Sequence, residues 1–229
     1  MNTYKELIKT IKLINKSSKK KVFYFGNTAK KESSSFYLTN IRENRKFIYF
    51  GAIIFNNSSA KKIAKLVDGK VDFIIIDIEK KVVSKIKNQY VNIERSVKDT
   101  IKKTTFFTYK GNDLAVQACE TLINYIFLKD PRGAGGKKVL ILGAGNIGFK
   151  IALKLVESGA DVFLYRRSKK ILKKMVFVIN SVISKATVAK ASVVNKVENN
   201  LNRYDIIIGA TNGKPLINTN QADTFKSNV

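Results

Sequence analysis

Apolar residues fall at near-helical spacing across residues 3–15, where Leu7, Ile8, Ile11, Leu13 and Ile14 stand among lysines. That pattern predicts an opening helix. "KKKVFYFG" (19–26) is a short apolar run closed by a glycine and predicts a strand. "SSSFYLTNI" (33–41) and "RKFIYFGAIIF" (45–55) are rich in β-branched and aromatic residues around the polar turn "RENR". "SSAKKIAKLVDG" (58–69) has a serine in front, helical spacing and a glycine behind, which predicts a capped helix beginning at Ser58. "VDFIIIDI" (71–78) is unbroken and β-branched, as in a strand buried on both faces of a parallel sheet. Residues 1–108 are thus expected to form a small α/β domain with strands near 21–25, 36–40, 46–55 and 71–78.

Residues 109–136 are expected to bridge two domains. "NDLAVQACETLINYIF" (112–127) carries apolar residues at 114, 116, 119, 122, 123, 126 and 127, an amphipathic helix ended by Lys129 and Pro131. "RGAGG" (132–136) reads as a flexible joint. From residue 137 the pattern changes to strand, glycine turn, helix and strand: "VLIL" (139–142), "GAGNIG" (143–148), a helix closed by Gly159, and "DVFLYRR" (161–167). G-x-G-x-x-G in that context predicts a dinucleotide-binding Rossmann-like domain over 137–229. Gly143 permits the tight turn, Gly145 leaves room for a pyrophosphate, and Gly148 lets helix and strand pack closely. Gly143, Ala144, Gly145, Asn146, Ile147 and Gly148 are therefore candidate cofactor contacts, with the helix N-terminus facing the phosphates.

The end of the second strand distinguishes the cofactors. An NAD site places an acid there for the ribose 2′-hydroxyl. Here the position falls at about Tyr165 or Arg166, and "RRSKK" follows with no acid. Arg166, Arg167 and Ser168 suit a 2′-phosphate, so NADP is favoured over NAD. Further on, "DIIIGAT" (205–211) predicts another strand, whose end at Ala210, Thr211 and Asn212 would lie near the nicotinamide side of the cofactor.

Composition narrows the chemistry. The 229-residue chain has no histidine and one cysteine, Cys119, so no metal site is expected. Proton transfer must then fall to Lys, Asp, Glu, Tyr or water. Its formal net charge is +26, which raises a nucleic-acid reading. The basic residues are spread evenly, however, 25 of 43 within residues 1–110, and all but seven are lysine. An even lysine surface argues against base reading by arginine forks. Neither a signal peptide nor an apolar run long enough to span a membrane is visible, and a cytoplasmic protein is expected.

At "GAGNIG", "YRRS", "DIIIGAT" and "KGNDLAVQACETLI" the chain resembles the shikimate dehydrogenase-like and amino-acid dehydrogenase-like two-domain oxidoreductases. Methylene-tetrahydrofolate dehydrogenases and glutamyl-tRNA reductases share that architecture. The resemblance covers about residues 108–218. It implies an NADP(H)-dependent transfer of hydride to or from a small polar metabolite, of the hydroxy- or keto-acid, imine or one-carbon folate type. It also implies Lys110 and Asp113 as catalytic candidates, since the shikimate enzymes place a Lys and an Asp about the reacting hydroxyl. The alternatives are a non-redox dinucleotide-binding enzyme or sensor, and a lysine-rich nucleic-acid-associated protein. The Rossmann-like domain looks short at its C-terminus. A chain that is a fragment of a longer protein, or a homodimer covering an exposed sheet edge, would account for that.

Overall fold

The computed structural model describes residues 3–27, 36–79, 91–211, 213 and 215–225. The chain divides into two units, Met1–Gly111 and Asn112–Val229. The first contains α1 (Thr3–Ile14), β1 (Lys20–Gly26), β2 (Phe36–Leu38), β3 (Arg42–Glu43), β4 (Phe47–Ile54), α2 (Asn57–Val67), β5 (Phe73–Asp77), α3 (Ile93–Lys98) and β6 (Thr105–Tyr109). Its sheet runs β2-β4-β1-β5-β6, with β3 also on β4. The strands β4, β1, β5 and β6 are parallel; β2 and β3 run antiparallel to β4.

Alternation along the strands builds the core. Phe23, Phe25, Phe50, Ile54, Ile74 and Ile76 are all fully buried, and they pack with Leu7, Ile11 and Ile14 of α1 and Ile63, Ala64 and Val67 of α2. Phe23 meets both Phe25 and Phe50 edge to face, with ring centroids 5.0 Å apart, a favoured aromatic geometry. As its pattern suggested, β5 lies inside the sheet, parallel to both neighbours.

Two expectations are corrected here. Helix α2 is capped by Asn56, whose side chain accepts from Ser59 N at 2.8 Å, and not by Ser58. "TTFFTY" (104–109), to which the sequence assigned no strand, supplies β6, a five-residue edge strand half exposed along its length. With so little burial it shows no clean period of two.

The second unit contains α4 (Gly111–Ile126), which starts at the boundary, then β7 (Lys138–Leu142), α5 (Asn146–Glu157), β8 (Asp161–Tyr165), α6 (Lys169–Val182), β9 (Ala191–Val194), β10 (Ile206–Gly209) and α7 (Thr219–Ala222). Its sheet runs β10-β7-β8-β9, parallel throughout. This is a Rossmann-like arrangement, so the whole chain is of the α/β class. Val139, Ile141, Val162 and Leu164 face one core with α4, α5 and α6. Leu140 and Leu142 face a second with Leu201 and Tyr204. Asp205 fixes the start of β10 against β7: its carboxylate accepts from Lys138 N and its own N–H donates to Lys138 O, each at 2.8 Å.

"RGAGG" is a packed turn and not a joint. Ala134 is buried in the α4–α6 core, Gly136 N donates to Gly159 O at 2.9 Å, and Lys137 pairs with Asp130 at 2.7 Å. The division between units falls earlier, at Gly111. Helix α4 thus goes with the second unit, tied to α5 by Lys150–Asp113 and by Lys154–Glu120 at 2.7 Å.

Candidate functional site

Strand β7 ends at Leu142 and the chain turns into α5 through "GAGN". The three glycines of the loop answer to different demands. Gly143 has φ +109°, a region closed to most side chains, and a Cβ there would stand 2.5 Å from Ala210 O. At Gly148 a Cβ would stand 2.1 Å from Gly143 O. Both are required by the packing of the fold. Gly145 is not: its φ of −87° and ψ of −160° suit any residue, and a Cβ there would meet nothing within 4 Å. Its bareness serves the space in front of it.

That space lies at the start of α5. Gly145 is the N-cap and offers no side-chain bond to the first-turn N–H groups. Ser168, the N-cap of α6, likewise makes no side-chain cap bond. Both helices follow strands of a parallel sheet, so both N-termini lie at its carboxyl edge, where such sheets take ligands. Uncapped first-turn N–H groups and the helix dipole favour an anion there.

The basic cluster after β8 is not uniform. Arg166 is half buried, and its Nη1 donates to Ala144 O at 2.6 Å and to Met175 Sδ at 3.6 Å. Lys169 donates to the carbonyls of Val194, at 3.1 Å, and of Asn195, and lies 4.9 Å over the Tyr165 ring. Arg167 is exposed and makes no hydrogen bond or ion pair among the described residues. Its Nη2 stands 4.0 Å from where a Cβ of Gly213 would be. β7 separates β8 from β10, so this side chain reaches from the end of β8 across the end of β7 to the segment after β10. Thr211 Oγ1 accepts from Gly213 N at 3.2 Å. Ala210 closes on the glycine loop through the Gly143 contact just described. The structure therefore brings Gly143–Gly148, Arg166, Arg167, Ser168, Ala210 and Thr211 to one edge of one sheet. Asn212 lies outside the described residues.

The catalytic candidates sit differently. Lys110 follows β6 in the first unit. Asp113 lies in the first turn of α4, and its carboxylate accepts from Lys150 Nζ of α5. Lys150 was not singled out by the sequence, although its place one turn into α5 was readable. Cys119 is half buried; burial, then Glu120, push its thiol pKa up, which leaves it a packing residue. At the carboxyl end of the first sheet Asp77, 3% exposed, stands in register with Tyr109. Burial, then Asp77, Tyr24 and Glu79, raise the Tyr109 hydroxyl well above its ordinary value. Neither Asp77 nor Tyr109 stood out in the sequence, because each is a single polar group at the end of a short strand with no motif around it. Among the described residues no group of three His, Cys, Asp or Glu could hold a metal, and no helix is long and apolar enough to cross a membrane.

The fit to a dinucleotide diphosphate can be tested on this geometry. Three features agree with it: an open position at Gly145, an uncapped 12-residue helix behind it, and an uncommitted guanidinium at the same sheet edge. Residues 129–228, a little under half the chain, match the sequence profile of the shikimate/quinate 5-dehydrogenase family. No curated protein matches the chain. Among solved structures, L-tryptophan dehydrogenase from Nostoc punctiforme is 14% identical with a TM-score of 0.45; the match covers 77% of this chain and 47% of that one. A dipicolinate synthase component from Bacillus halodurans is 14% identical with a TM-score of 0.41, over 91% of this chain and 80% of that one. The holo form of D-mandelate dehydrogenase from Rhodotorula graminis is 12% identical with a TM-score of 0.36, over 92% and 72%. The chain thus spans about half the length of the first of these relatives and most of the other two.

Proposed function

We propose that the protein is an NADP(H)-dependent dehydrogenase or reductase acting on a small polar metabolite. The observation that carries this reading is the bare, uncapped start of α5 with Arg167 uncommitted at the same sheet edge. The match of residues 129–228 to a dehydrogenase family supports the redox assignment. Bound there, the nicotinamide would supply the hydride chemistry. The chain's own residues would do the binding. Backbone N–H groups of residues 145–147 would face the diphosphate, and the α5 dipole would favour its charge. Arg167 and Ser168 would take the 2′-phosphate, where an NAD site would need an acid. Ala210 and Thr211 would border the nicotinamide side.

The test is direct titration of the full chain with NADPH and NADH, read by cofactor fluorescence. NADPH should bind more tightly. Arg167→Ala should weaken NADPH about tenfold to a hundredfold, the range for one charge-assisted contact, and leave NADH unchanged. Equal losses for both would remove the phosphate role, and no binding of either to the wild type would end the proposal. Turnover of NADPH with keto or imine acids separates an oxidoreductase from a protein that only holds the dinucleotide. For proton transfer we keep Lys110 as the candidate. Lys110→Met should lower turnover while cofactor affinity stays, and unchanged turnover would dismiss it. Asp113, engaged with Lys150, would act beside it only as the orienting carboxylate of that pair.

A further inference from the structure

We infer that the two adjacent arginines hold separate tasks: Arg166 is a positioning residue for the diphosphate loop, and only Arg167 is available to the 2′-phosphate. The inference rests on the dinucleotide reading above and divides a cluster that the sequence presents as one. The observations are geometric. Arg166 lies at the end of β8, yet its guanidinium is turned back to the glycine loop, where Nη1 donates to Ala144 O at 2.6 Å. Met175 of α6 flanks the same nitrogen at 3.6 Å. Ala144 is itself buried, 1% exposed. A half-buried guanidinium that already donates to a buried carbonyl would leave that carbonyl unsatisfied if it turned to a ligand phosphate, which is costly. Lys169 is held in the same way by the carbonyls after β9. Arg167, one residue on, has no such tie.

The contact acts on the peptide that matters. A peptide unit is planar and trans, so its C=O and N–H point in opposite directions. Holding Ala144 O from the β8 side aims the N–H of Gly145 the other way. Gly145 is the position where a Cβ would meet nothing within 4 Å. Arg166 thus fixes a donor that the loop, being rich in glycine, would otherwise leave free to rotate. Preorganised donors bind an anion without the cost of ordering them at the moment of binding.

Three ligands separate the tasks in the full-length protein. NADP presents both phosphate groups, NAD only the diphosphate, and adenosine 2′-monophosphate only the 2′-phosphate. Dissociation constants come from calorimetry and melting temperatures from circular dichroism. Arg166→Met should weaken NADP and NAD alike, by about tenfold for one lost charge-assisted contact, and leave the 2′-monophosphate unchanged. Arg166→Lys, which can still donate to Ala144 O, should recover part of that loss. Arg167→Ala should weaken NADP and the 2′-monophosphate and leave NAD alone. Loss of the 2′-monophosphate and NADP but not NAD in Arg166→Met would make Arg166 a phosphate ligand and overturn the division. Loss of all three ligands together with a lowered melting temperature would reduce Arg166 to general support, which also overturns it. So would no change in any ligand. A wild type that binds neither NADP nor NAD is a separate outcome and removes the dinucleotide reading itself.

Discussion

The two units are built alike, from parallel strands with helices returning between them, and they differ at the starts of those helices. In the first unit the caps of α2 and α3 are closed. Asn56 accepts from Ser59 N at 2.8 Å before α2, and Asn92 accepts from Arg95 N at 2.9 Å before α3. In the second unit Gly145 and Ser168 leave α5 and α6 without side-chain caps, while the short α7, away from the glycine loop in sequence, has a full capping box from Asn218 and Gln221. A cap side chain satisfies the N–H groups that a bound anion would otherwise take. Among the helices whose N-caps are described, the open ones are the two that follow β7 and β8, where a bound anion would be the missing acceptor.

The largest expected effect comes from closing an open cap. Gly145→Asp places an acceptor at the N-cap in backbone that suits it. It should hold or slightly raise the melting temperature, by a few tenths of a kcal/mol in stability. It should weaken NADPH by more than about a hundredfold, since a carboxylate would occupy and repel the diphosphate. Retained affinity would break the comparison. Gly148→Ala is the contrast, because its Cβ would stand 2.1 Å from Gly143 O. It should cost about 3 kcal/mol or more by overpacking, seen as a large loss in thermal or denaturant stability. Two glycines of one motif should then fail in opposite ways, one in binding and one in folding.

The converse substitution sharpens the same point. Asn56→Ala opens the cap of α2 and should cost about 1 kcal/mol of stability in the first unit. NADPH affinity should not change. A fall in affinity as large as that of Gly145→Asp would mean that cap chemistry does not distinguish the units.

Much of the second unit could be read from residues 137–167, because a buried strand, a glycine turn and an amphipathic helix each leave a strong local pattern there. The glycine motif also announced its site. It announced as well that Gly145 is left open and Gly148 is packed. What stayed hidden is that Arg166 turns back to Ala144 while Arg167 does not. α6 and β9 went unassigned because α6 exposes Phe177, 73% accessible, and Val182 on the face that should be polar, which blurs the helical period. β6 was missed for want of burial, and the six-residue α3 for want of length. "RGAGG" misled in the other direction: glycines that look like a hinge serve tight turns, with Gly133 at φ +56° and Gly136 at φ +74°.

The smallest expected effect concerns acid and again contrasts the units. In the first, Asp68 closes the turn after α2 onto the start of β6. Its carboxylate accepts from Lys102 N at 2.9 Å, Lys103 N at 3.0 Å and Thr104 N at 2.8 Å. Burial alone would raise its pKa, but those backbone donors outweigh it and hold the pKa below the ordinary value. Asp72 is lowered as well, chiefly by Lys21 N at 2.7 Å. In the second unit Asp130 is lowered by Lys137, a partly buried ion pair near the surface that adds little. A carboxylate whose folded pKa lies below its unfolded value of about 3.9 stabilises fully above that value. The contribution is lost as pH falls through the folded pKa. The first unit should therefore lose stability below about pH 4, by an amount on the order of 1 kcal/mol from Asp68 after solvent screening. Asp68→Asn should show much of that loss already at neutral pH and a flatter acid limb, both read from denaturant midpoints across pH. An acid limb with the wild-type slope in Asp68→Asn would mean that the turn is held by its backbone alone.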